Sequence, residues 1–398
     1  MRSQPFISGS ALSHLECARC ARRDEPDRPR TVCPACGGPL YARYNLARPD
    51  LRGLPWDFGG RSTDIWRYSE LLPVRSPRHR IGLGEGMTPL ISAPRLARAL
   101  GFDDLLIKDE GRNPTGSFKA RGMAVAIARA VELGVRAFTA PSAGNAGLAL
   151  AAYAARHGAR ALVAFPVDIP GIFVRQCRAY GAEVITAGAT IREAGAALRA
   201  HIEEKSAWRD AFDVSTLREP YRLEGKKTMG YEIAEQMNGA LPDAIVYPTG
   251  GGTGLIGIWK AFEEMAALGW INPATARPRM IAVQMKGCAP IVEAALARAD
   301  RAKPFADAQT RCWGLRVPAP FADREILSTL RASRGAAIAI GEEELAPAAD
   351  RAARAEGIDA SPEGAAVIAA LPHLREVGVL AATDRVLALN TAASGMYQ

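Results

Sequence analysis

The segment "NPTGSFKARG" (113–122) hands a lysine, Lys119, from a Pro-Thr-Gly-Ser turn to the start of an apolar helix. "LLIKDE" from Leu105 reads as a short strand ending in charge. "MAVAIARAVELG" from Met123 has apolar residues at helical spacing and stops at Gly134. Thr115 or Ser117 is therefore expected to cap the helix, with Lys119 in its first turn. A cation there opposes the helix dipole by roughly 0.3–1 kcal/mol, a local conflict of the kind expected where function overrides stability. The bland alternative is a surface lysine reaching to solvent.

Two more loops fall at strand–helix junctions, the positions where open parallel sheets bind ligands. "PTGGGTG" (248–254) supplies Gly250, Gly251, Gly252, Thr253 and Gly254, whose free amides at a helix start suit a phosphate. No Gly-Lys-Ser/Thr closes it, so it is not a nucleotide P-loop. "GTGLIG" (252–257) does satisfy G-x-G-x-x-G and keeps a dinucleotide reading open, but the next strand ends on Gln284 where a ribose-binding acid is wanted. A monophosphate fits better. "PSAGNAG" (141–147) offers Ser142, Ala143, Gly144 and Asn145. Structurally this is a tight turn in which Asn accepts left-handed dihedrals; functionally it is a cradle for a carboxylate, with an amide for a cofactor oxygen. A lysine near a phosphate cup and an anion loop suggests pyridoxal phosphate, whose aldehyde needs one lysine and whose phosphate needs amides. A lysine held as an imine is no longer a free ammonium at a helix start, which removes the conflict at Lys119.

"CARC" (Cys17, Cys20) and "CPAC" (Cys33, Cys36) form two C-x-x-C pairs. Four thiolates in two chelating pairs match a structural tetrahedral zinc, and Gly37-Gly38 lets the backbone turn around the metal. The rival is a ribbon that folds without metal. His14 is near enough in sequence to compete as a ligand. Zinc ribbons also occur in nucleic-acid proteins, so this segment does not fix function.

The elements that must position these loops alternate strand and helix from Ile81 onward. "AFTAPSAGNAGLALAAYAARHG", "ALVAFP"–"GIFVRQCRAYG"–"AEVITAG" and "DAIVYPTGGGTGLIGIWKAFEEM"–"RMIAVQ" each follow this order, and the chain finishes on the strand "RVLALN". That alternation predicts parallel sheets covered by helices, an α/β fold. Residues 45–80 read as a Pro-, Arg- and Trp-containing connector with a short helix near Ile65. A length of 398 residues suggests two to three domains. The contents of 48% apolar and 23% charged residues are those of a soluble globular protein. The charge of +8 is scattered, without a basic block interleaved with aromatics, so no nucleic-acid partner is expected. No apolar run reaches membrane-spanning length, and "MRSQPFISGSALSHLECARC" lacks a signal-peptide core. A cytoplasmic location is expected, compatible with seven cysteines if four hold metal.

"SFKARG", "SAGNAG", the glycine loop and "LGEGMTPL" (83–90) together resemble the fold-type-II pyridoxal-phosphate enzymes, and among them the threonine synthase family. The resemblance runs from about residue 15 to the end, and "LGEGMTPL" and "YRLEGKKT" (221–228) are more specific to threonine synthases and their cysteate-synthase relatives. It implies a fold like the tryptophan synthase β chain. That is two doubly wound α/β domains, here a large one over 46–104 and 206–398 and a small one over 105–205, behind a zinc-ribbon-like segment at 1–45. It implies a homodimer acting on an amino-acid substrate. Lys119 would hold the cofactor aldehyde, Asn145 its ring hydroxyl, Gly250 to Gly254 with Thr253 its phosphate, and Thr391 would face the pyridine nitrogen. Ser142 with Ala143 and Gly144 would seat the substrate carboxylate, and Arg222 the substrate phosphate.

The sequence also departs from the family. Ala143 replaces a Thr, Ala120 replaces an Asp, and "STLREPYR" replaces an Asn-Ser-x-Asn pattern, bringing Glu219 to repel a phosphate and Arg218 to attract one. The implied reaction converts O-phosphohomoserine and water to threonine and phosphate. The alternatives are β-elimination or β-replacement on a serine-like amino acid, and a regulatory or nucleic-acid-binding protein on a degenerate enzyme fold.

Overall fold

Strand–helix alternation gives two parallel sheets in the computed structural model, which describes residues 9–52, 58, 60–272 and 277–397. Residues 1–8 of the N-terminal stretch, and 53–57 and 59 of the expected connector, lie outside the described residues. The larger sheet runs Ala336–Ile340, Arg279–Met285, Ala244–Pro248, Arg385–Asn390, Asp104–Asp109 and Leu90–Ser92, with only the last strand antiparallel. The smaller runs Glu183–Thr186, Arg160–Phe165, Ala137–Pro141 and Phe212–Asp213, all parallel. The inner strands Ala137–Pro141, Arg160–Phe165, Ala244–Pro248 and Arg279–Met285 are near-continuous apolar runs, as strands covered on both faces require. The expected short helix near Ile65 is the 3₁₀ turn Ile65–Leu71, capped by the Asp64 side chain.

The unit boundaries differ from expectation. Asp104–Asp109 pairs with Arg385–Asn390, so the strand placed at the head of the small domain belongs to the large sheet. The small sheet ends on Phe212–Asp213, beyond 205. Sheet membership is decided by long-range pairing, which local patterning does not contain.

A third, antiparallel sheet of Leu12–Cys17, Arg23–Asp24 and Leu40–Tyr44 carries the cysteine knuckles. It is fastened to the body by polar contacts. Arg19 bonds Glu325 and the Phe321 carbonyl, and the Tyr44 hydroxyl donates to Glu224 at 2.8 Å.

The helix Tyr221–Gln236 is buried along most of its length although Arg222, Glu224, Lys226, Lys227 and Glu232 lie on it. Such charges are tolerated inside only when paired. Glu232 takes Lys108 and Arg121, and Arg121 also bonds Glu110 at 2.7 Å. Glu224 takes Lys227 and Lys260. The first network also receives the Met87 and Thr88 amides on Glu232. It therefore locks "LGEGMTPL" against the helix that begins with Lys119.

Candidate active site

The three loops and the residues after the last strand converge on one cavity of about 690 Å³, lined by Lys119, Ser142, Ala143, Asn145, Arg222, Gly250 to Gly254 and Thr391 among others. Each loop leaves the carboxyl end of a strand, as the alternation predicts.

Lys119 opens the helix Lys119–Glu132, but neither Thr115 nor Ser117 caps it. Thr115 instead takes a left-handed conformation, φ 62°. The turn is held from outside, by Phe118 N–H donating to the Thr391 carbonyl at 3.0 Å and Ala393 N–H to the Gly116 carbonyl at 2.9 Å. A tertiary staple has replaced the local cap. Lys119 Nζ faces the cavity 3.9 Å from the centre of the Phe118 ring. Burial, and then the positive charge of Arg222, push its pKa down to about 7. At neutral pH a large share of it is free amine, the form that attacks a carbonyl.

In the Asn loop the left-handed residue is Gly144, φ 121°, and not Asn145, which already begins the helix Asn145–Arg156. A Cβ on Gly144 would press on the Phe173 ring at 3.0 Å. Ser142 Oγ accepts the Gly147 amide at 2.8 Å and the Gly144 amide at 3.2 Å, tying the loop. Asn145 Nδ2 donates to the Tyr397 hydroxyl at 2.8 Å, and its Oδ1 is buried without a protein partner among the described residues.

The glycine loop leads into the helix Thr253–Leu268. A Cβ on Gly250 would overlap the Gly314 carbonyl oxygen, one on Gly251 would press on Thr216 Cγ2 at 2.7 Å, and one on Gly254 would overlap the Tyr247 hydroxyl. Gly252 sits at φ 78°. Bare backbone is thus a spatial requirement here. Gln284 is spent on nearby backbone groups. Its amide donates to the Thr249 carbonyl at 3.0 Å and its Oε1 accepts the Ile291 amide at 2.8 Å. The strand end where a ribose-binding acid is wanted thus offers only an amide already in use.

Arg222 is buried, with Nη1 donating to the Val214 carbonyl at 2.6 Å and Nε without a partner among the described residues. Arg192, Arg199, Arg218 and Arg316 also line the cavity, against the carboxylates Asp213 and Glu363. Arg218 stacks on Phe321, 4.5 Å from its centre.

A pyridoxal phosphate fits these residues. The orphaned Asn145 oxygen, a free amine on Lys119, the bare amides at a helix start and the Thr391 hydroxyl surround one space of suitable size.

The four cysteine sulfurs lie within 4.8 Å of one another, with Cys17–Cys36 at 3.4 Å and Cys20–Cys33 at 3.7 Å. A tetrahedron with metal–sulfur bonds of about 2.3 Å has edges of about 3.8 Å, so the set fits zinc. A Cβ on Gly38 would press on Cys17 Sγ at 3.2 Å, and Gly37 is left-handed, as the turn around a metal requires. His14 is not part of the cluster; its ring lies beside Ser13 and Glu16.

Sequence reasoning missed Tyr397, Glu363 and Tyr247, which also line the cavity. Tyr247 lies next to the glycine loop, so proximity was a usable signal for it. Tyr397 and Glu363 are brought in by tertiary folding alone.

Residues 81–392 match the family described as "Pyridoxal-phosphate dependent enzyme". The chain belongs to that class of enzymes. It is 34% identical over 376 residues to a threonine synthase of Methanocaldococcus jannaschii, covering 94% of this chain and 91% of the relative. A threonine synthase of Methanosarcina acetivorans is 34% identical over 383 residues, covering 96% and 91%. Within the class, the chain belongs to the threonine synthase family. Solved structures share the fold. Maize serine racemase superposes with a TM-score of 0.65 at 22% identity, covering 77% of this chain and 88% of that one. Processed threonine deaminase isoform 2 of Solanum lycopersicum also gives 0.65, at 21%, covering 84% and 91%.

Proposed function

We propose that the chain is a pyridoxal-phosphate lyase converting O-phosphohomoserine and water to threonine and inorganic phosphate, with Lys119 as its catalytic amine. The observation that carries the phosphorylated substrate is the buried guanidinium of Arg222, aimed into the cavity with Nε unpartnered among the described residues. Glu219, the neighbouring acid, is occupied elsewhere. It accepts the backbone amides of Tyr221 at 2.6 Å and Arg222 at 3.0 Å.

Bound pyridoxal phosphate supplies an electron sink that stabilises negative charge beside the substrate amine. The residues of this chain supply the rest. Lys119 would hold the cofactor aldehyde, and as a free amine its Nζ would take and return protons at the substrate carbons. The Asn145 side chain would orient the cofactor ring, and the glycine loop with Thr253 would hold its phosphate. The small residues Ala143 and Gly144, with Ser142, leave backbone free for the substrate carboxylate. Arg222 offers a planar fork to the substrate phosphate and receives it as the Cγ–O bond breaks. Cγ ends as a methyl group and the hydroxyl of water is added at Cβ.

The cysteine tetrad is proposed as a structural zinc site, because four protein ligands leave no open position for substrate. The unpaired thiols support a reducing, cytoplasmic setting.

A panel of phosphorylated and free hydroxy amino acids tests the assignment, with phosphate, oxoacid and amino-acid products all measured. Threonine and phosphate in equal amounts support it. Oxoacid and ammonia from serine or threonine, without turnover of O-phosphohomoserine, replace it with β-elimination.

A further inference from the structure

Five lysines stand out inside this protein. Lys108 pairs with Glu232, and Lys227 and Lys260 both pair with Glu224 and Glu264. Lys119 is the catalytic amine. Lys226 is completely buried, and its one hydrogen-bond partner among the described residues is a neutral oxygen, Thr253 Oγ1, at 3.3 Å.

The nearest acids are committed elsewhere. Glu219 is taken up by the Tyr221 and Arg222 amides, and Glu110 by Arg121, Asn113 and Thr88. The nearest cations, Arg222 and Lys119, repel Lys226, and burial together with that repulsion pushes its pKa well down. An ammonium in such a place is costly unless something negative arrives beside it.

The side chain is also deliberately accommodated. It runs past Gly122 of the "SFKARG" motif, where a Cβ would press on Lys226 Cε at 3.0 Å, and its Nζ lies 4.3 Å from the centre of the Phe118 ring. It ends at Thr253, the first residue of the helix Thr253–Leu268. A second group points to the same helix start. The Tyr247 hydroxyl is buried without a partner among the described residues and crowds Gly254 Cα closely enough to forbid a side chain there.

We propose that Lys226 is a phosphate-binding residue, its ammonium reaching the cofactor phosphate held at the start of the helix Thr253–Leu268, with the Tyr247 hydroxyl as an additional donor. The proposal rests on the reading of the glycine loop as the cofactor's phosphate seat. That loop offers amides, a hydroxyl and a helix dipole but no full positive charge. Lys226 supplies the charge from a neighbouring helix, and the incoming phosphate in turn pairs the buried cation.

The test compares the affinities of apoprotein for pyridoxal phosphate and for pyridoxal, which lacks the phosphate, followed by visible absorbance. Lys226→Met is the main variant and Lys226→Gln the second, in case one folds poorly. Both are expected to weaken pyridoxal phosphate about ten- to a hundredfold, the worth of a charge-assisted bond, and to leave pyridoxal unchanged. Apoprotein of Lys226→Met is expected to melt no lower than wild type, since a buried amine with one long bond to a neutral oxygen has been replaced by an apolar chain of similar length. Equal weakening of both ligands, a large loss of apoprotein stability, or no change in either affinity would overturn the proposal. Thr253→Val, run in parallel, separates the two readings. If it alone lowers the phosphate-to-pyridoxal ratio, the glycine loop stands and Lys226 falls. If neither residue affects the ratio, both readings fall together.

Discussion

Glu219 hydrogen-bonds the backbone amide of Arg222 at 3.0 Å, while the Arg222 guanidinium turns the other way, to the Val214 carbonyl at 2.6 Å. Two oppositely charged residues three apart thus form no ion pair. The acid satisfies the exposed amides at a helix start, and the base is left for the cavity. The acid that argues against a phosphate site in the sequence is thus engaged by backbone amides, and burial holds its pKa up to about 7.

Glu219 gives the first prediction. Burial raises its pKa to about 7, from an ordinary carboxylate value near 4.5. Between those values the native state keeps a proton that the unfolded chain releases, so this group lowers stability as pH rises through the window. Thermal melting against pH is expected to lose that slope in Glu219→Gln, while retaining it in wild type. An identical slope in both proteins would assign it to other groups.

Lys119 behaves in the opposite sense. Its native pKa of about 7 lies below the ordinary 10.5, so the unfolded chain binds more protons between them and apoprotein stability rises with pH in that range. The rate of reconstitution with pyridoxal phosphate, limited by free amine, is expected to rise with a midpoint near pH 7. Borohydride reduction of the holoprotein should fix the cofactor on Lys119. Lys119→Ala should abolish turnover and keep the fold. Recovery of the label on Lys108, which is paired with Glu232, would refute the assignment.

Arg121 is held at 2.7 Å by both Glu110 and Glu232, all three fully buried. Removing its charge leaves buried Glu110 with only the neutral donors Asn113 and Thr88, and Glu232 with Lys108 as its one remaining cation among the described residues. Arg121→Met is expected to cost about 3–5 kcal/mol by denaturant unfolding. A loss within about 0.5 kcal/mol would show that the network is dispensable.

For the cysteine tetrad the expectation is one zinc per chain in carefully prepared native protein, lost on Cys33→Ser. Binding of structural zinc can be worth on the order of 10 kcal/mol. Loss of metal should therefore loosen the N-terminal sheet and the Arg19–Glu325 contact, read as increased amide exchange over 12–44. Metal analysis that finds none would leave the ribbon as a fold that closes on its thiols alone.

Much of this was legible in the sequence because the relevant signals are local. Strand–helix alternation fixed the parallel sheets, and glycines with a lysine at three junctions located the cavity. Boundaries were less legible. Asp104–Asp109 joins a sheet whose other strands lie far along the chain, and nothing near residue 105 says so. The helix start at Lys119 is not legible locally for a related reason. Its restraint comes from Thr391 and Ala393, hundreds of residues away, and not from Thr115 or Ser117. The helix Tyr221–Gln236 is too charged to read as buried by apolar periodicity, and only its pairing with other elements explains its burial.

Arg222, beside Lys119, is the proposed seat of the substrate phosphate. The direct measurement is kcat/KM of wild type and Arg222→Ala on O-phosphohomoserine and on homoserine or serine. Wild type is expected to prefer the phosphorylated substrate, and Arg222→Ala to cut that activity about a hundredfold or more while barely changing the slow reaction of the unphosphorylated analogue. Equal losses on both substrates, or a wild type that prefers a phosphate-free amino acid, would contradict it.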